Sequence, residues 1–191
     1  MALKDDIARF LRTNAYIKQI NFSFGSFKVY PSAYQKDVAD AIVSGEIKVR
    51  TKGASTAAAG ASYDVNYDSL ELNPSFNLSV PRDQAFLIHE CTHAHLDIQT
   101  LGTHSKHENE AVAYLAEAVF LEAAKQPPLG NEAIRAVSHR LGKMVLAKTY
   151  TIPAGDVAAL IAEVRKHPHY SGSATYNSNG FNRSLIHKAL R

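Results

Sequence analysis

The segment from residue 81 to residue 101 constrains the fold of this chain more than any other. Pro81 and the acidic side chain of Asp83 are typical of a helix start, and Gly102 suits the left-handed position after a helix end. The segment is largely apolar but includes histidines and a glutamate. Burying such groups without partners costs roughly several kcal/mol. The sequence therefore predicts a long helix whose polar side chains need a partner.

These polar side chains belong to the sequence HECTH, which contains His89, Glu90 and His93. A spacing of four places both imidazoles on one face of a helix, so both can bind one metal ion at about 2.0–2.1 Å. Glu90 is then the candidate general base, taking a proton from a water molecule that the metal activates for attack on a carbonyl. The alternative is a histidine pair that is solvated or hydrogen-bonded without a metal.

A second helix is predicted directly after the first. Ser105 and Glu108 have the spacing of a capping box, and apolar residues recur at helical spacing to about Lys125. A catalytic zinc site needs a third protein ligand and an open fourth position. This second helix contains two further glutamates, Glu110 and Glu117, that are candidates for the third ligand.

The order of these motifs resembles the gluzincin branch of the zincin metallopeptidases, in which HExxH is followed after a short loop by a helix with a ligand glutamate. The resemblance covers residues 63 to 125 and implies a zincin-like domain that hydrolyses peptide bonds with one Zn²⁺ per chain. It implies His89, His93 and Glu110 as metal ligands and Glu90 as general base.

The resemblance also has consequences outside the ligand set. It implies that the strand within residues 68 to 72 is the edge strand along which an extended substrate lies. Thermolysin-like sequences have an aspartate four residues after the ligand glutamate, where this chain has Tyr114. The hydrogen bonds around the ligands therefore depart from that subgroup.

The third ligand stays open at the level of sequence. Glu110 is the choice that the resemblance favours, Glu117 lies two turns further along the same helix, and a histidine is a further alternative. If Glu110 is the ligand, Glu117 is expected to accept a hydrogen bond from His89 or His93.

Other residues near the motif are predicted to have packing or surface positions and not to bind the metal. His95 lies about 160° around the helix from His93 and is expected to face away from the metal. Asp97, four residues after His93, is at the right spacing to orient a ligand, but the favoured interpretation is a solvated acid at the helix end. Cys91 is interpreted as a small buried hydrophobic residue. The third histidine that a metzincin requires is not found at the right spacing.

A late histidine or tyrosine is expected to stabilise the oxyanion of the tetrahedral intermediate. The sequence offers six and does not choose among them, although the cluster of residues 167 to 170 is the most suggestive because it adjoins a flexible tail. The six are His139, Tyr150, His167, His169, Tyr170 and Tyr176.

Composition excludes several other classes of protein. The single cysteine among 191 residues rules out a disulfide scaffold, and the net charge of +3 is scattered, so it does not indicate nucleic-acid binding. No run approaches the roughly 18 to 20 apolar residues of a membrane span, and Asp5, Asp6 and Arg9 interrupt any signal-peptide core. The expected location is the cytoplasm, or outside the cell by a route without a cleavable signal peptide.

The remaining patterns predict one α+β domain over residues 1–191. A helix and sheet portion (1–80) with a small mixed sheet precedes a helical portion with the metal site (81–166) and a loop-rich tail (167–191). Within these portions we predict helices over 4–19, 31–42, 131–147 and 154–166, strands over 22–30 and 46–50, a hairpin of 63–67 with 69–72, a mobile connection over 53–61 and a loop over 168–182.

The leading hypothesis is thus a zinc-dependent metallopeptidase that acts on a peptide or protein substrate. A catalytically inactive, zinc-supported binding module with the same fold is the alternative, and four protein ligands around the metal would favour it. Small zincin domains also occur as toxin or effector enzymes, and no delivery sequence in this chain supports that alternative. The sequence does not determine an oligomeric state.

Overall fold

Short strands and helices alternate in the first half of the chain, and helices dominate the second half. The computed structural model describes residues 3–51, 60–99, 102–170 and 175–178. This arrangement confirms the predicted α+β class with a helical C-terminal half. The described helices are α1 (Leu3–Thr13), α2 (Ala39–Ser44), α3 (Pro81–Gln99), α4 (Lys106–Ala123), α5 (Ala133–Leu146) and α6 (Ala154–Lys166), with a π-helical segment at Ala33–Val38 and 3-10 turns at Ile17–Gln19 and Pro168–Tyr170. The described strands are β1 (Phe22–Phe24), β2 (Phe27–Val29), β3 (Lys48–Thr51), β4 (Ala61–Asp64), β5 (Ser69–Leu72), β6 (Gly102–Ser105) and β7 (Thr175–Ser178).

The first helix is shorter than the 4–19 predicted from its apolar spacing. It ends at Thr13, whose hydroxyl donates to the carbonyl of Arg9 at 2.8 Å. The side-chain oxygen of Asn14 then accepts the backbone N–H of Tyr16 at 2.8 Å. Such local side-chain bonds compete with the helical ladder and turn the chain.

The single strand predicted over 22–30 is wrong, because these residues form a two-stranded hairpin. Strands β1 and β2 pair antiparallel, with Phe24 opposite Phe27. The turn passes through Gly25, whose φ is +58°. Glycine adopts such left-handed backbone without the steric cost that a side chain brings.

The three-stranded sheet is mixed, with strand order β3-β5-β4. Strand β5 pairs antiparallel with β4, as the hairpin prediction requires, and parallel with β3. The expectation that residues 68 to 72 form an edge strand is therefore wrong, since β5 is the central strand. The edge next to α3 among the described residues is β4, because β3 occupies the other side of β5.

Strand β4 begins in close contact with the helix that carries the HExxH motif. Gly60 precedes the strand at a φ of +78°, and a Cβ atom there would lie 2.6 Å from the ring of Phe86. Both the backbone conformation and the missing side chain let the start of the strand pack directly on α3.

Helices α3 and α4 pack against each other, and α4 packs in turn on α5. The N-terminus of α4 has the predicted cap, since the N–H of Glu108 donates to the Ser105 hydroxyl at 3.4 Å. Where α5 crosses α4, a Cβ atom on Gly142 would lie 3.1 Å from the carbonyl carbon of Ala118. Helix α4 is buried along almost its whole length, which is typical of a central core helix.

The C-terminal segment returns to the connection between α3 and α4. Strand β7 pairs antiparallel with β6, so the loop predicted over 168–182 is wrong at Thr175–Ser178. Gly102 lies in β6 rather than in a left-handed helix end. Most of the predicted connection over 53–61 lies outside the described residues. No described helix combines the length and the apolar character needed to cross a membrane.

Candidate metal centre

His89, His93 and Glu110 meet between α3 and α4. All three are buried, and one potential ligand atom from each lies within 4.8 Å of the other two. The Nε2 atoms of His89 and His93 lie 3.5 Å and 3.6 Å from Oε2 of Glu110. The helical spacing of four puts both imidazoles on one face of α3, and α4 supplies the carboxylate. The structure thus brings together the three residues proposed as ligands.

The two distances from Glu110 to the histidines fit a tetrahedral metal ion. Ligand atoms at about 2.0–2.1 Å from a tetrahedral Zn²⁺ are spaced about 3.4 Å apart. The two distances to Glu110, 3.5 Å and 3.6 Å, lie close to that spacing and are longer than a normal hydrogen bond. Two nitrogens and one carboxylate oxygen also form a donor set that zinc accepts.

The opposite nitrogen of each imidazole faces a polar group of α4. Nδ1 of His93 donates a short hydrogen bond to the side-chain oxygen of Asn109. Nδ1 of His89 lies 3.3 Å from Oε2 of Glu117, within ion-pair distance although not aligned for a hydrogen bond. A proton on Nδ1 leaves the Nε2 lone pair for a metal ion, which is how metal-ligating histidines are generally held.

The carboxylate that faces His89 is itself fixed from the next helix. Arg135 on α5 donates a short hydrogen bond to Oε1 of Glu117. Its guanidinium lies 5.3 Å from the ring centre of Tyr114, and its Nε lies 3.3 Å from Oε2 of Glu132. Sequence reasoning anticipated that Glu117 lies beside one of the histidines, although no hydrogen bond joins it to His89, and it missed Arg135 and Asn109. Asn109 adjoins Glu110 in the chain, whereas Arg135 carries no local signal.

The electrostatics of the cluster favour a cation between the three groups. Burial lowers the pKa of His89, but the carboxylates of Glu110 and Glu117 more than offset it, so the pKa lies well above its usual value. The pKa of His93 is raised for a similar reason, with Glu110 opposing the effect of burial. Burial raises the pKa of Glu110, and the two imidazoles reverse this to a pKa far below the ordinary one. The negative charge of the glutamates favours protonated imidazoles, and for the same reason it favours a divalent metal ion between these groups.

Glu90 is held beside the cluster by the edge strand. The backbone N–H of Tyr63 in β4 donates to Oε2 of Glu90 at 2.8 Å. Burial raises the pKa of Glu90, with His89 and His93 acting in the opposite direction. The carboxyl group also lines a cavity of about 350 Å³, so a small molecule can reach it.

Three other residues of α3 are buried, and two of them, His95 and Cys91, have the environment expected from the sequence. His95 is buried away from the cluster, where its Nε2 donates to the carbonyl of Lys28 at 3.1 Å, as expected for a packing residue. Cys91 is a free, buried cysteine, and burial raises the pKa of its thiol. The interpretation of Asp97 as a solvated acid is wrong. Its side chain is fully buried and accepts the hydroxyl of Tyr63 at 2.9 Å.

Of the late residues considered for the oxyanion, Tyr170 contacts Tyr114, whose ring packs against that of His89. Its hydroxyl is 3.1 Å from that of Tyr114, and its pKa is raised first by burial and then by the charge of Glu110. The buried His107 fixes this residue by donating from Nε2 to its carbonyl at 3.1 Å.

The other five late residues have different positions. His167 and His169 line the same cavity as Glu90. His139 pairs with Glu122 on α4 at 2.9 Å, and Tyr150 is exposed. Tyr176 lies in β7, and its side chain is outside the described part of the structure. Among the candidates whose side chains the structure describes, those in the cluster of residues 167 to 170 are the ones that line this cavity.

The sequence and the structure were compared with known proteins. No protein-family model, no curated protein and no solved structure matches this chain. The geometry of the site and the resemblance of its motifs are the grounds on which a function is proposed.

Proposed function

We propose that this protein is a zinc-dependent metallopeptidase that hydrolyses peptide bonds. The observation that carries the proposal is the convergence of the buried His89, His93 and Glu110 beside Glu90, at a place where His89 and Glu90 line a cavity. Catalytic zinc sites have three protein ligands and one open position, and these three described residues supply that number of ligands.

The ligands of the proposed zinc are His89, His93 and Glu110. Bound zinc supplies a lowered pKa for water and a polarised scissile carbonyl. Glu90 accepts the proton of the attacking water and later delivers it to the leaving amine. The Tyr63 N–H holds Oε2 of Glu90, so Oε1 is the oxygen that takes part in proton transfer. The pKa of Glu90, raised by burial, makes the carboxylate a stronger base than an exposed glutamate.

Tyr170 is the proposed donor to the developing oxyanion. Tyr170 lines the cavity that also contacts Glu90, and its hydroxyl lies 3.1 Å from that of Tyr114 on α4. A hydrogen bond from this hydroxyl would strengthen as negative charge grows on the carbonyl oxygen, which lowers the barrier. Its raised pKa keeps the phenol protonated at neutral pH, as a donor must be.

The edge strand β4 is the proposed support for an extended substrate. The carbonyl of Gly60 accepts the N–H of Asn73, so the alternate residues Ser62 and Asp64 direct their peptide groups to β5. Ala61 and Tyr63 then direct theirs outwards, as the bond from Tyr63 to Glu90 requires. A peptide pairing with this edge would pass directly beside the general base.

The test is a measurement of metal content together with peptide cleavage on the full-length protein. We expect one zinc per chain and cleavage of peptides from a mixed library, lost on treatment with a chelator and restored by stoichiometric zinc. A protein that retains one zinc and cleaves no peptide would contradict the proposal. A metal held by four protein ligands in that protein would instead support a zinc-supported binding module.

A further inference from the structure

The face of α3 that carries the proposed zinc ligands continues towards the start of the helix. Arg82 and Phe86 precede His89 and Glu90 by three to eight residues, at helical spacings that place all four on one side. Arg82 and Phe86 line the cavity of about 350 Å³ beside Glu90. They also line a second cavity of about 130 Å³ next to Gly60, Asn73 and Ser75. A substrate that extends from the metal towards the start of α3 would therefore lie near Arg82.

Arg82 is the cation of this cavity wall that lacks a carboxylate partner among the described residues. The other arginine of the wall, Arg135, is bound by Glu117 and Glu132. The neighbouring Asp83 directs its carboxylate to the backbone N–H of Asn77 at 2.8 Å instead. The positive charge of Arg82 is thus available to a ligand in the cleft.

The guanidinium of Arg82 is oriented by an aromatic ring. It lies 5.3 Å from the ring centre of Phe86, a distance at which a cation is attracted to the face of the ring. Stacking restricts the side chain while leaving N–H groups at the edge of the guanidinium for hydrogen bonds. A planar guanidinium binds carboxylates through two parallel hydrogen bonds, which makes this group the preferred partner of such anions.

The distance to the metal cluster determines where in a substrate the anion must lie. Seven residues of helix separate Arg82 from His89, a rise of about 10.5 Å. An extended peptide covers about 3.3 Å per residue, so the separation corresponds to about three residues. Because the arginine side chain can extend towards the metal, a substrate carboxylate about two residues from the scissile bond is also within its reach.

We propose that Arg82 binds a carboxylate of the substrate two or three residues from the scissile bond. The carboxylate belongs to an acidic side chain or to the substrate's own C-terminus, since both present the same group. This inference rests on the proposed function for the reacting bond and adds a preference for acidic peptides to it.

The experiment compares peptides that differ at one position two or three residues from the scissile bond, on either side. One set is blocked at both termini and carries Glu, Gln or Lys there, and a second set is neutral with a free C-terminal carboxylate at that distance. We expect kcat/KM to be about threefold higher for Glu than for Gln, which is the size of effect that pairing with an exposed arginine allows. A preference confined to one of the two sets identifies the source of the carboxylate.

Charge reversal makes the test specific. In Arg82→Glu the preference should change from the Glu peptide to the Lys peptide. Arg140→Glu is the matched control, because Arg140 is an exposed arginine of α5 that pairs with Asp156 and does not line the cavity. It changes the net charge equally and should retain the preference for Glu.

Equal kcat/KM for the Glu and Gln peptides, or the same reversal in Arg140→Glu, would overturn the inference. If the zinc-loaded protein cleaves no peptide, the proposed function fails, and binding of the same peptides by calorimetry decides the carboxylate site. Tighter binding of the Glu peptide that disappears in Arg82→Glu supports the site, and equal affinities refute it.

Discussion

The backbone N–H of Tyr63 donates a hydrogen bond to the carboxylate of Glu90 at 2.8 Å, joining the edge strand to the proposed general base. The side chain of the same tyrosine extends along α3 and donates to the buried Asp97 at 2.9 Å. One residue therefore holds β4 against α3 by its backbone and its side chain.

This double attachment predicts the effect of Tyr63→Phe. The variant keeps the N–H but removes a hydrogen bond to a buried carboxylate, which should lower the free energy of unfolding by about 1–3 kcal/mol. We also expect a lower kcat at nearly unchanged KM and zinc content, because β4 is less firmly placed against Glu90. Urea unfolding and steady-state kinetics measure both effects. Tyr67→Phe alters an exposed tyrosine of the same turn region and should change neither. Equal behaviour of the two variants would show that the bond to Asp97 positions nothing.

The two glutamates of α4 should affect zinc binding differently. Glu110→Gln removes a proposed ligand and should abolish stoichiometric zinc binding. Glu117→Gln alters a group that faces Nδ1 of His89 and should weaken zinc affinity about 10- to 100-fold. Competition with a chromophoric zinc chelator gives both affinities. The reverse order would make Glu117 the ligand and Glu110 the supporting group.

Tyr170→Phe should lower kcat about 10²- to 10³-fold with little change in zinc content, as removal of an oxyanion donor generally does. Its ring still packs beside Tyr114, so the fold should be retained. Tyr150→Phe is the control, since Tyr150 is exposed and outside the cavity. Full activity in Tyr170→Phe would assign the role to another residue.

Substitution by alanine should have opposite effects at two helix glycines, one packed between α4 and α5 and one in open space. Gly142→Ala places a Cβ atom 3.1 Å from the backbone of Ala118 and should destabilise the fold by about 1–3 kcal/mol. Gly155→Ala in α6 meets nothing within 4 Å and should be neutral or stabilising by up to about 1 kcal/mol. Thermal unfolding distinguishes them. A stable Gly142→Ala protein would mean that the two helices are less closely packed than described.

The elements with strong local signals were predictable from the sequence. The starts of α3 and α4 follow from Pro81 and from the Ser105 cap, although the helix end expected at Gly102 was wrong. The four-residue spacing placed two imidazoles on one face of α3. The hairpin at Gly25 was missed because the alternation of apolar residues continues through the turn. The central place of β5 was also missed, since it depends on pairing with β3, which is distant in sequence.

The candidate site was predictable in part from the sequence. The four-residue spacing predicts that His89 and His93 share one face of a helix, whereas the choice of Glu110 over Glu117 came from the resemblance and not from periodicity. The contact of Arg135 with Glu117 and of Tyr63 with Glu90 depends on how α5 and β4 pack against those helices. Such relationships are tertiary, and no spacing along the chain encodes them.

Substitution of Glu90 by glutamine tests the central claim most directly. The change keeps the shape and a hydrogen-bond acceptor for Tyr63 but removes the base. We predict that Glu90→Gln binds one zinc per chain, unfolds at the same temperature as the parent protein within a few degrees, and cleaves peptides at least about 100-fold more slowly. Cleavage at the parent rate by zinc-loaded Glu90→Gln would contradict the proposed mechanism.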